Sequence, residues 1–242
     1  MANEVAAFWA AFSVLFYVFI YSIWLKRATP QNIVIGGIAG STPPLVGWAA
    51  AESELKISME SVALFVDSIT DIGSLMPWFM FGVIFLWTPP HFWALALYRS
   101  EEYEEVGVPM MPNVKGAERT LVEMKIYAVL LIIMSAVSPI VYGGLDEGDA
   151  LYHVLGWNAI ILSVWYASTI WRIDIEEVPD EDGRKATASR SFFDSLVYLS
   201  LVFVMLVASS VGLEGAIVGA MITIGFIARI EWKKRKAGTN IG

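Results

Sequence analysis

The chain has 242 residues, 57% of them hydrophobic and only 17% charged, with a mean hydropathy of +0.60. That balance excludes an ordinary soluble domain, and the net charge of −8, scattered over loops, excludes a nucleic-acid footprint. The lack of any cysteine excludes disulfides and thiolate metal sites. A crossing of a roughly 30 Å hydrocarbon core takes about 20 apolar residues. Several stretches meet that length, so the fold class is all-α and integral to a membrane: a polytopic transmembrane helix bundle, with residues 1–242 as one domain.

The opening MANEVAAFWAAF lacks the basic leader and cleavage pattern of a signal peptide and runs directly into an apolar segment. Phe8–Leu25 reads as the first span, closed by Lys26-Arg27 and a Thr29-Pro30 turn. Asn32–Ala51 is the second. Its Gly36, Gly37, Gly40 and Ser41 allow close helix packing, and Pro43-Pro44 predicts a kink. Residues 57–72 place Val62, Phe65, Val66, Ile69 and Ile72 on one stripe and Glu60, Asp67 and Asp71 elsewhere. That pattern reads as an amphipathic helix lying on the outer membrane surface.

Leu75–Tyr98 is the third span, interrupted at Pro89-Pro90, and a carboxylate-rich loop follows it. Ile126–Gly144 and Leu151–Trp171 are the fourth and fifth spans, and the acidic loop Arg172–Arg190 leads to Phe192–Leu213, the sixth. Ala216–Ile230 makes a short seventh before the basic tail, residues 231–242. Lys and Arg fall on alternate loops: Lys26 and Arg27; Arg99, Lys115, Arg119 and Lys125; Arg172 to Arg190; and the tail. The intervening loops hold only Lys56. Positive residues gather on the cytoplasmic side, so the reading is a multi-pass cell-membrane protein with its N-terminus outside and its C-terminus in the cytoplasm.

On that cytoplasmic face, Glu101, Glu102, Glu104 and Glu105 follow directly on a span. Mg²⁺ is commonly held by one or two carboxylates together with phosphate oxygens, and pairs three or four apart share a helix face. Glu101, Glu102 and Glu105 are therefore candidate metal ligands, with Arg99, Lys115, Lys26 and Arg27 as candidate phosphate partners. A solvated acidic loop is the other reading of the same residues. His91, in Thr-Pro-Pro-His-Phe-Trp, is ionisable within an apolar span and so either functional or bonded to a neighbouring helix. Trp87, Phe92 and Trp93 read as packing or interface-belt aromatics. Asp67-x-x-x-Asp71 has a diphosphate-binding spacing but falls on the outer face, and Asp174–Asp182 reads as a solvated loop.

Three motifs in order carry a resemblance: Tyr21-Ser-Ile-Trp-Leu-Lys-Arg-Ala-Thr-Pro-Gln-Asn32 through Gly47-Trp48, then Trp87-Thr-Pro-Pro-His91-Phe-Trp, then Tyr103-Glu-Glu-Val-Gly-Val-Pro109-Met-Met-Pro112. With Ser191–Leu199 as a fourth element, residues 10–212 resemble the protohaem IX farnesyltransferases of the UbiA prenyltransferase superfamily. The resemblance implies a nine-helix bundle, of which this chain holds six to seven spans. It implies transfer of a farnesyl group from farnesyl diphosphate to a vinyl group of haem b, giving haem O. Mg²⁺ on two acidic motifs grips the diphosphate, and an apolar cavity keeps water from the allylic cation. Haem A synthase or oxidase assembly factors are the neighbours it implies in the bilayer.

Carried over by position, Lys26 and Arg27 contact diphosphate, Glu102 is the metal-side carboxylate, Glu105 and Glu101 assist, and Tyr103 orders the loop or the diphosphate. Asn32 sits at the cavity mouth, Lys115 is a second candidate base, Trp87 and Arg99 bind substrate, and His91 faces haem. Two departures stand out. Glu102 occupies a place the family gives to Asp, and the first acidic motif is absent from these residues, which begin where the family's fourth helix begins. Glu52 and Glu54, on the outer face, do not replace it, and residues 57–72 look like an insertion. The chain by itself is therefore expected to be inactive. The alternatives are another UbiA-type enzyme acting on an aromatic ring or lipid, against which the second and third motifs argue, and a non-catalytic transporter or oxidase-assembly protein.

Overall fold

A computed structural model describes residues 3–52, 54–105, 107–143, 150–181 and 183–239. The first element, α1 (Glu4–Leu15), continues without a break into a wider, π-helical stretch, Phe16–Leu25. Its last turn is closed by the Lys26 N–H donating to the Tyr21 carbonyl at 2.8 Å, a five-residue reach. Asn3 caps α1 by accepting from the Ala6 N–H, so the helix starts ahead of the predicted Phe8.

The second span divides into α2 (Asn32–Gly40) and α3 (Pro43–Ala51), as the proline pair predicts. Backbone groups freed at such a break inside a bundle need other partners. The Ser41 hydroxyl donates to the Gly37 carbonyl (2.7 Å), and those of Thr42 and Ser13 to that of Ala39 (2.8 and 3.0 Å). The surface helix is shorter than expected, α4 (Val62–Thr70), capped by Ser61. Its five-residue stripe also divides. Ile69 and Ile72 are buried and Phe65 sets its ring edge-on to Phe8, whereas Val62 and Val66 are exposed.

Helix α5 (Met76–Tyr98) is the axis of the bundle, touching α2, α3, α8 (Ala117–Ala136) and α11 (Ala186–Ser209), and it corrects the expected interruption: Pro89 and Pro90 lie inside one continuous helix. Two residues one turn apart straddle the prolines and are both held by α11 (Ala186–Ser209). Trp87 Nε1 donates to the Ser195 carbonyl at 2.9 Å, and His91 Nδ1 lies 2.6 Å from the Ser195 hydroxyl. These side-chain bonds fasten α5 to the neighbouring helix on both sides of the proline pair.

After α5 come two short helices, α6 (Ser100–Glu105) and α7 (Met111–Lys115), tied by the Asn113 amide donating to the Ser100 carbonyl at 3.1 Å. Gly116, at φ 83°, turns the chain into α8 (Ala117–Ala136), a conformation costly for any residue with a Cβ. The helix starts nine residues ahead of the expected fourth span, Ile126–Gly144. The helix begins in the polar stretch, where Arg119 and Glu123 pair at 3.0 Å one turn apart, and stops near Pro139, giving the short α9 (Ser138–Gly143).

Helix α10 (Ala150–Trp171) matches expectation, whereas α11 starts inside the stretch read as loop. The short last segment, Ala216–Ile230, is part of a long helix, α12 (Leu213–Thr239), because the basic residues after Glu231 extend it; cations suit a helix C-terminus. Residues 240–242 of the expected tail lie outside the described residues. Among the described residues six helices are long and apolar enough to cross a membrane, and α8, with four charged residues near its start, is not one of them. It nevertheless packs between α5 and α10 in the main core, built on Trp93, Met124, Leu131, Tyr166 and Tyr198.

Candidate active site

One end of the bundle gathers the ends of the Phe16–Leu25 stretch, α5, α10 and α12, the starts of α2 and α11, and the short helices α6 and α7. It carries most of the basic residues. Lys26 and Arg27 are exposed there, just past the π-helical stretch. The buried Asn32 side chain donates to the Lys26 carbonyl at 3.3 Å, fixing the turn that presents this basic pair. The next residue, Ile33, packs with Ala96, Met110, Val108 and Tyr103, which docks the carboxylate loop on the start of α2.

Tyr103 is the hinge of this arrangement. Its phenol lies within electrostatic range of Tyr21. Burial holds its pKa above the usual value, with Arg99 opposing the shift and Glu102 adding to it. It is therefore a neutral O–H donor at ordinary pH. Glu102 is paired twice: one carboxylate oxygen is 3.1 Å from Arg99 and the other 3.7 Å from Arg184. Sequence reasoning missed Arg184, which comes from the distant α10–α11 loop; its only signal was membership of the basic side. Glu105 and Lys115 are exposed, and the Glu101 side chain lies outside the described residues.

Inward from Tyr21 and Ile33 lies a largely apolar cavity of about 380 Å³. Trp87, Thr88 and Phe92 of α5 wall one side, Tyr17 and Tyr21 another, and the glycine face of α2 a third. The glycines make the room, since a Cβ at Gly36 would overlap the Tyr21 ring. Trp87 lines this cavity. His91 does not, being buried between the Trp87 ring (4.2 Å) and the Phe192 ring (4.7 Å), with Nδ1 committed to Ser195.

Among the described residues no three His, Asp or Glu side chains gather as a metal-holding group. Glu102 offers a carboxylate at the rim, and both its oxygens face arginine. These residues do not build a metal cage by themselves. What they can do is hold an anion, through Lys26, Arg27, Arg99 and Arg184, beside a slot that accepts an apolar chain.

The profile of the UbiA prenyltransferase family matches residues 1–181. A protoheme IX farnesyltransferase from Parvibaculum lavamentivorans is 41% identical over 218 residues, covering 89% of this chain and 59% of the relative. Those from Granulibacter bethesdensis and Beijerinckia indica are 42% and 41% identical, covering 84% and 93% of this chain but 57% and 62% of theirs. The chain thus spans about three-fifths of the length of these relatives. No solved structure matches it.

Proposed function

Because this chain belongs to the UbiA prenyltransferase family, we propose that its cavity and rim bind a prenyl diphosphate, and that farnesyl transfer to haem b is the reaction they serve. The observation that carries this reading is the apolar cavity of about 380 Å³ meeting, at Tyr21 and Ile33, the loop that bears Tyr103 and the Glu102 arginine pairs. The isoprenoid lies along Tyr17, Trp87 and Phe92, where the walls offer no water to a developing allylic cation. Its diphosphate reaches the rim, where Lys26, Arg27, Arg99 and Arg184 take up negative charge as the C–O bond breaks. Tyr103 donates a hydrogen bond there. Haem b, a large planar ring, approaches from the lipid side of the cavity.

In this reading the orientation follows the basic residues: the rim is cytoplasmic and the Asn3 end and α4 lie outside. Magnesium enters as a proposal limited to a cation that the diphosphate itself carries, for which one or two protein carboxylates suffice. Glu102 would be the first of them and Glu105 the second.

The test is farnesyl diphosphate binding to the full chain in nanodiscs, followed by calorimetry with and without Mg²⁺. Lys26→Ala should weaken binding about tenfold, the usual loss for a charged hydrogen bond. Equal binding by wild type and by Lys26→Ala and Arg27→Ala variants would remove the rim from the site. The same sample, given haem b and analysed for haem O by mass, reports whether these residues suffice for turnover.

A further inference from the structure

A second cavity, of about 350 Å³, lies at the same end of the bundle between α10, α11 and α12, apart from the residues assigned to the prenyl site. Its charged lining is Arg172, Arg190, Asp194, Glu231, Lys234 and Arg235. Four cations face two carboxylates, so the lining is net positive whichever way they pair. The pairs are well made: Lys234 Nζ lies 2.6 Å from Asp194 and 3.2 Å from Glu231, and Arg172 lies 2.8 Å from the second Glu231 oxygen. Trp165 Nε1 donates to Glu231 at 3.1 Å and fixes that carboxylate from below. Arg190 makes no ion pair with any described residue and is exposed. The cavity is thus a built frame with positive charge in excess.

Its depth points to a lipid. Arg172 directly follows the candidate span that ends at Trp171, and Lys234 and Arg235 sit in the last turn of the span Leu213–Lys236. Trp171 and Trp232, 49% and 56% exposed, lie at these same helix ends, each with a lysine over its ring. Tryptophans of this kind mark the headgroup level of a bilayer. Below Arg190, one turn along α11, Phe193 is 57% exposed and offers an apolar track toward the membrane interior. A free anion has no use for that track, whereas an acyl chain does.

We propose that this cavity binds the phosphate of an anionic phospholipid from the adjacent leaflet, with an acyl chain along the outer face of α11. The inference is independent of which substrate the prenyl site takes. Basic pockets between membrane helices suit such headgroups.

The test uses the full chain in detergent, delipidated and offered phosphatidylglycerol or phosphatidylcholine, with retained lipid read by native mass spectrometry. Phosphatidylglycerol should be retained over phosphatidylcholine, and Arg190→Ala should lower its retention about fivefold, the effect of one juxtamembrane cation. Arg190→Lys should restore it, and Arg119→Ala, an exposed cation elsewhere, should leave it unchanged. Helical content by circular dichroism shows that the variants are folded. Equal retention of the two lipids would overturn the proposal, as would an equal loss in Arg119→Ala. Displacement of the lipid by inorganic diphosphate at similar concentration would also overturn it, by making the cavity a site for free anions.

Discussion

Two charged clusters stand at the same end of this bundle and are built differently. The Glu102 cluster sits on a short helix and two loops, and its members are 35% to 48% exposed. The Asp194 cluster sits on three long helices, with Asp194 10% and Lys234 28% exposed. An exposed pair in water contributes little to stability, about 0–1 kcal/mol. A pair largely withdrawn from water is costly to break, because removing one partner strands the other's charge. The difference separates a cluster that can exchange its partners for a ligand from one that holds helices together. The proposed diphosphate rim belongs to the first kind and the fastening of α12 to the second.

The largest expected effect follows from breaking the second cluster. Asp194→Ala leaves Lys234 among the other cations of that cavity with only Glu231 to balance it, and should destabilise the chain by about 3 kcal/mol. Thermal unfolding in a fixed detergent measures this, and Asp194→Asn should recover part of the loss. A fall as small as that of an exposed pair would make the two clusters alike and end the comparison. Next comes Ser195→Ala, beside Asp194. It removes the hydroxyl partner of the buried His91 ring nitrogen at the proline pair, for about 1–2 kcal/mol.

How much of this was legible in the residues depends on the range of the interactions. The spans were legible because long apolar runs have few other uses, and the kink at Pro43-Pro44 was legible for the same local reason. The start of α8 was not, because Glu118, Arg119, Glu123 and Lys125 look like loop until their helical pairing is seen. Nor was the continuity of α5 through Pro89-Pro90, beside which Trp87 and His91 bond to Ser195 of a different helix. In the site, Trp87, Tyr103 and Glu102 came from motifs, whereas Arg184 reaches Glu102 only through the fold. The Lys234–Asp194 bridge joins two segments that sequence reading had assigned to a basic tail and an ordinary span.

A smaller stability effect, with a sharper functional one, is expected at the cavity wall. Gly36→Ala adds a helix-favouring residue, worth up to about 1 kcal/mol in an exposed helix. Here the added methyl displaces the Tyr21 ring, which can move only at the expense of the cavity. Stability should change little, while affinity for farnesyl diphosphate falls more than that for a shorter geranyl diphosphate. Equal losses for both chains would take Tyr21 off the isoprenoid path.

The smallest stability change is expected at Glu102, and it tests the exposed cluster most directly. Glu102→Gln keeps the shape and removes the charge, so unfolding should shift by less than about 0.5 kcal/mol. The binding consequence has a sign that separates two roles. Without the carboxylate, Arg99 loses its internal partner and becomes available to diphosphate, so affinity in the absence of Mg²⁺ should rise. If Glu102 also supports a diphosphate-borne cation, the gain that Mg²⁺ gives wild type should disappear in the same variant. Calorimetry at both conditions resolves the two effects. A variant that binds diphosphate as wild type does, with and without Mg²⁺, would show that this cluster neither gates Arg99 nor holds a metal, and the rim would then rest on Lys26 and Arg27.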